Sequence, residues 1–192
     1  MAALKVLAHG AAPAAASVVA SGGPAGHFVT PSLITFPAPD GTTLHGQLFQ
    51  PVASTQQGAP SGEGRPAVLF THGGCQRQMN AAMHYAGDYA ALYAQNQYLV
   101  SQGFVVLSLN YRGGVGYGVK FRAANNSDWE GASEHQDVLA AGWYLAESEG
   151  VDPTRIAYRG TRTPMWSSSR PLELSVRSDG RGSRRQASWR RL

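Results

Sequence analysis

The sequence predicts an α/β fold in which an N-terminal hairpin leads into about three parallel strands joined by crossover helices. Three observations predict it. Residues 67–70 (AVLF) and 104–109 (FVVLSL) are apolar runs, and each ends abruptly in a polar, glycine-bearing turn, THGG and NYRGG. Continuous rather than alternating hydrophobicity calls for strands covered on both faces, as in a parallel sheet between helices. Between and after those runs the apolar spacing becomes helical, so the order is strand, helix, strand, helix, strand, with right-handed crossovers.

The elements follow in chain order. SLITFPAPDGTTLHGQLFQP reads as two strands joined at Asp40-Gly41, with Leu44, Gly46 and Leu48 alternating against Thr43, His45, Gln47 and Phe49. That alternation predicts a half-exposed antiparallel hairpin. VASTQQGAPSGEGRP is a solvated loop by composition. In AALYAQNQYLVSQG, Leu92, Tyr93, Tyr98 and Leu99 fall at helical spacing, and Gly103 stands where a helix C-terminal cap belongs. Ser133 and Gln136 have capping-box spacing, and Val138, Ala141, Gly142 and Leu145 line one face of a helix running to about Glu149. Asp152-Pro153 then makes a turn and Ile156 opens another strand.

Composition divides the chain. With 192 residues, 43% of them hydrophobic, there is enough for one domain with a real core. Residues 1–158 carry seven basic against ten acidic side chains, whereas residues 159–192 carry nine arginines against Glu173 and Asp179, so the net charge of +4 belongs to the last segment alone. That segment shows no sustained period of 2 or 3.6 and is expected to be disordered, leaving the far edge of the last parallel strand uncovered. Residues 1–26 form an alanine-rich leader interrupted by His9, Gly10 and Pro13, which favours a disordered leader over a signal peptide and a cytoplasmic over a secreted location. A single cysteine, Cys75, excludes an internal disulfide framework and a multi-cysteine zinc site, and no apolar run is long enough to span a membrane.

FTHGG, SQGFVVLSLNYRGGVGYG, ASEHQDVLAAGWYL and VDPTRIAY, in that order, resemble the catalytic domain of the prolyl oligopeptidase family of serine peptidases, in its bacterial dipeptidyl and acylaminoacyl peptidase branches. The resemblance covers residues 27–158. HGG alone is weak, since other hydrolases of the fold carry it; NYRGGVGYG directly after a buried strand is far more specific. The resemblance implies an α/β-hydrolase fold, here its N-terminal half, cut before the nucleophile elbow. It also implies acyl transfer through serine on a peptide substrate, with no cofactor and no metal.

Several residues carry that expectation. Gly73 and Gly74 lie on the loop that, in this fold, lends a backbone N–H to the oxyanion formed when serine attacks a carbonyl; a tight turn without ligand explains them equally well. Arg112 either orients a substrate carboxylate or carbonyl, or pairs with an acidic partner and ties the glycine loop to the fold, the second being preferred. Tyr111 and Tyr117 read as packing residues with polar tips, Tyr111 serving as scaffold or substrate-positioning residue beside Arg112. His72 reads as a structural histidine, Cys75 as an inert small residue, and Asp137 as an acid favoured at a helix N-terminus.

The expected triad is missing. Alignment from Ile156 sets Gly160, Thr161, Arg162, Thr163 and Pro164 on the family's G-x-S-x-G, so Arg162 takes the nucleophile's place. No histidine follows His135, and Ser167, Ser168 and Ser169 lack flanking glycines. The chain therefore reads as part of a peptidase domain, inactive alone, with residues 159–192 translated out of frame or recombined. The alternative is a non-catalytic protein that binds nucleic acid or acidic surfaces through its nine terminal arginines, with nucleic acid the less favoured partner.

Overall fold

The computed structural model describes residues 28–51, 64–74, 76–124, 133–148, 150–160, 172–178 and 185–191. Strands β1 (Ser32–Pro37) and β2 (Thr43–Phe49) form the N-terminal hairpin. β3 (Arg65–Thr71), helix α1 (Gly87–Ser101), β4 (Val105–Asn110), the single turn α2 (Val119–Arg122), α3 (Ser133–Glu147) and β5 (Val151–Gly160) follow. β6 (Leu172–Ser178) and β7 (Arg185–Arg191) complete a sheet of order β1-β2-β4-β3-β5-β6-β7. β4, β3 and β5 are the three parallel strands, and the pairs β1–β2, β2–β4, β5–β6 and β6–β7 are antiparallel.

The apolar runs are continuous because each strand feeds two cores. Ala67 and Leu69 of β3, with Val105, Leu107 and Leu109 of β4, pack beneath Val138, Ala141 and Leu145 of α3. Their neighbours Val68, Phe70 and Val106 face the other way, against Tyr89, Tyr93 and Val100 of α1. Side chains alternate across a strand, so burial on both sides demands an apolar residue at every position.

Helix α1 ends as its glycine predicts. The Gly103 N–H reaches the Val100 carbonyl and the Phe104 N–H the Leu99 carbonyl, a Schellman closure in which Gly103 takes φ +90°. A Cβ there would meet nothing closer than 3.7 Å, so Gly103→Ala should cost only the backbone strain, about 1–2 kcal/mol in a urea melt.

Four expectations are corrected. β1 is the half-exposed strand of the hairpin, whereas β2 is buried from Leu44 to Phe49 except at His45, because it lies between β1 and β4. On α1, Tyr98 is exposed and the polar Gln97 is buried instead; its amide pairs with both the N–H and the carbonyl of Val29, at 2.9 and 2.8 Å. β5 begins before Ile156: Val151 pairs with Arg65 and Ile156 with Ala67, so the Asp152-Pro153 turn is a bulge inside the strand. Finally, residues 172–178 and 185–191 are strands where disorder was expected, and β6 covers the far edge of β5 through the pairs Ala157 with Glu173 and Tyr158 with Leu172. The overlooked signal is the period of 2 in LELSVRS.

Candidate functional site at the carboxyl edge of the sheet

Parallel strands β3 and β4 end side by side, and the loops that leave them pack against each other. Ligands of open α/β sheets gather at this edge, because there the loops diverge and backbone groups are released from the ladder. The loop after β3 runs from His72 through Gly73 and Gly74 to Met79; the loop after β4 runs from Tyr111 to Gly118.

The two loops meet backbone to backbone. The Val115 N–H lies 3.3 Å from the Arg77 carbonyl, and a Cβ on Gly114 would stand 2.7 Å from that same oxygen. Gly113, Gly116 and Gly118 take positive φ. The glycines of NYRGGVGYG therefore answer a steric demand, the close approach of one loop to another. Asn110, the last residue of β4, adds three bonds: its Oδ1 accepts from the Met79 N–H at 2.8 Å, and its Nδ2 donates to the Met79 carbonyl and the Tyr117 hydroxyl. Tyr117 in turn stacks on His45 at 3.9 Å.

His72 is fully buried and stacks on Tyr111 at 4.5 Å. Burial pushes its imidazole down to about 4, so it is neutral near pH 7, and its Nε2 has no partner among the described residues. Gly73 is buried and Gly74 half-buried. The Tyr89 hydroxyl donates to the Gly73 carbonyl at 2.8 Å, and the Tyr111 hydroxyl lies 2.7 Å from the Gly74 carbonyl and 3.1 Å from that of His72.

Arg112 is engaged by two carboxylates. Its backbone N–H, Nε and Nη2 bond the Asp137 carboxylate at 2.6–2.9 Å, and its Nη1 and Nη2 reach Asp40 at 2.5 and 3.2 Å. Burial works against the Arg112 cation, and the hydrogen bonds it donates to Asp137 and Asp40 outweigh it, holding the guanidinium above its ordinary range. Arg112 likewise holds the Asp40 carboxyl well below the usual carboxylate range. Burial pushes Asp137 up against the pull of the same guanidinium. One arginine thus links the hairpin turn, the start of the glycine loop and the second turn of α3.

Of the residues singled out in the sequence, the structure brings together His72, Gly73, Gly74 and Tyr111, and holds Arg112 on two carboxylates. Arg162, Cys75 and Ser167–Ser169 lie outside the described residues. Tyr89, Asn110 and the pairing of Asp40 with Arg112 were not anticipated. Asp40 looked spent on its turn, where it accepts from the Thr42 N–H at 3.0 Å. Tyr89 had a faint signal in its i, i+4 spacing to Tyr93. No group of three potential ligands among the described residues could hold a metal ion, and no helix there is long and apolar enough to cross a membrane.

Comparison with known proteins agrees with this architecture. Residues 91–161 match the model of the prolyl oligopeptidase family. The chain is 35% identical over 95 residues to dipeptidyl aminopeptidase BIII of Pseudoxanthomonas mexicana, covering 50% of this chain and 12% of the relative. It is 30% identical over 146 residues to dipeptidyl peptidase 8 of Mus musculus, covering 76% of this chain and 15% of the relative. Among solved structures, a Mycobacterium tuberculosis puromycin-hydrolyzing peptidase superposes with a TM-score of 0.60 at 30% identity, over 71% of this chain and 19% of that one. A puromycin hydrolase does so at 0.57 and 31%, over 68% and 18%. The chain thus spans under a fifth of the length of these proteins. Its motifs, its parallel sheet and these matches place it in the prolyl oligopeptidase family of serine peptidases, as part of an α/β-hydrolase catalytic domain.

Proposed function

We propose that this chain is the oxyanion-side portion of a serine peptidase domain, and that alone it does not hydrolyse peptides. The observation that carries the first half is the His72-Gly73-Gly74 loop at the carboxyl edge of β3. Its carbonyls are taken by tyrosine hydroxyls, while the N–H groups of Gly73 and Gly74 donate to no protein acceptor among the described residues. A backbone N–H kept free beside a buried scaffold is the kind of donor that stabilises a tetrahedral oxyanion.

The second half rests on chemistry missing from the sequence. Arg162 stands at the nucleophile's position and has no oxygen with which to attack, and no histidine after His135 is available as base. An oxyanion donor without nucleophile and base leaves at most a small residual catalysis. Peptidyl p-nitroanilides incubated with the pure chain should therefore release nitroaniline at the buffer rate. Saturable turnover that a serine reagent abolishes would overturn the proposal.

A further inference from the structure

The Gly73-Gly74 loop is gripped from both faces of the sheet. Tyr89 belongs to the core beneath α1 and Tyr111 to the core beneath α3, and both rings are buried, at 9% and 3% exposure. The Tyr89 hydroxyl donates to the carbonyl of Gly73, while Tyr111, with a single hydroxyl proton, shares it between the carbonyls of Gly74 and His72 and favours the shorter contact to Gly74. Each phenol is itself braced: His72 stacks on Tyr111, His84 lies tilted against Tyr89 at 4.9 Å, and the Arg77 guanidinium sits 5.7 Å over the Tyr89 ring.

Anchored carbonyls have a consequence for the N–H groups. Every described peptide is trans, and in a trans peptide the N–H points opposite to the carbonyl of the same plane. A hydroxyl that holds the carbonyl of residue 73 therefore turns the Gly74 N–H away from Tyr89. Likewise the hydroxyl near the carbonyl of residue 72 turns the Gly73 N–H away from Tyr111. Glycine would otherwise leave these planes the most rotational freedom of any residue.

We propose that Tyr89 and Tyr111 are positioning residues, whose hydroxyls fix the two peptide planes that aim the Gly73 and Gly74 N–H groups before any ligand arrives. The proposal rests on the oxyanion reading only for the identity of that ligand. Donors set in advance need no reorganisation when charge develops, and that is where their advantage over water lies.

The test is NMR on the full chain labelled with 13C and 15N. Tyr89→Phe should move the Gly73 carbonyl carbon upfield and shift the Gly74 amide, which shares its plane. Tyr111→Phe should instead move the Gly74 and His72 carbonyl carbons and the Gly73 amide. That crossed pattern follows from hydroxyl bonds and not from packing, which phenylalanine preserves; carbonyl shifts unchanged in both variants would overturn the proposal. Should a variant fail to fold, the unmodified chain still decides. Steep temperature coefficients at the Gly73 and Gly74 amides, as for N–H groups without internal acceptors, are expected, and shallow ones would overturn it. Acetate, as a carboxylate probe, is then titrated into the unmodified chain. A shift at either glycine amide is expected, and its absence beside an intact crossed pattern would sink the oxyanion reading while leaving the clamp in place.

Discussion

Asp137→Ala should destabilise the chain by about 3–5 kcal/mol in urea unfolding, the largest effect expected of any single substitution at the site. The Asp137 carboxylate is fully buried, and the Arg112 it holds is 4% exposed. Removing the carboxylate leaves a buried cation hydrogen-bonded, among the described residues, to Asp40 alone, and strands the Arg112 backbone N–H and Nε, which among the described residues bond only Asp137. Asp40 cannot take over, since its side chain is 42% exposed and shares its charge with water. Asp40→Asn should therefore cost no more than about 1 kcal/mol. Replacing both buried partners, as Arg112→Met with Asp137→Leu, should recover part of the loss, because the penalty comes from an uncompensated charge and not from a missing attraction. Equal costs for Asp137→Ala and Asp40→Asn would show that burial does not govern this pair.

Lowering the pH from 6.5 to 4 should strip up to about 3 kcal/mol of stability through His72 alone. Burial depresses the folded imidazole from 6.5 to about 4, so across that window the unfolded chain binds a proton that the folded one refuses. The contribution is complete above 6.5 and is lost as the pH falls through the folded value. His45 and His135 are also lowered by burial and act in the same direction, while Glu134 and Asp137 are raised by burial and act against them, so the slope of the parent chain mixes several groups. The comparison that isolates His72 is His72→Gln, which keeps the others. Its unfolding free energy should fall less steeply with acidification; an unchanged slope would mean that the His72 proton reaches solvent in the folded state.

Much of the fold is legible in the sequence where one physical demand acts alone. AVLF and FVVLSL announce strands buried on two faces, and Gly103 announces the end of α1, because burial and left-handed φ each leave few residues to choose from. Legibility fails where a polar residue is buried by satisfying backbone groups. Gln97 is inward on α1 because its amide closes on Val29, and Gln47 is inward on β2 because its amide meets the carbonyls of Met79 and Asn80, which come from a loop more than thirty residues away. Helical spacing alone would have turned Tyr98 inward instead. Composition misled beyond Gly160, where the arginines hide the alternation of LELSVRS.

At the site the same division holds. HGG and NYRGGVGYG mark both loops, and an acidic partner for Arg112 is foreseeable from the cost of burying a guanidinium. That Asp137 is the partner is not: the sequence suggests a helix-dipole reason for it, whereas in the structure Glu134 is the first-turn acid of α3 and Asp137 lies in the second turn. The hydroxyls of Tyr89 and Tyr111 could not be foreseen either. Each looks like core, and each is core; what the sequence hides is where the polar tip ends.

The most direct test of the account is covalent labelling of the pure, folded chain with a fluorophosphonate serine probe, read by intact mass. No adduct is expected, because in the proposed reading Arg162 takes the nucleophile's place and no histidine follows His135 in the sequence to activate a neighbouring serine. An adduct on any serine, lost when that serine is changed to alanine, would contradict it.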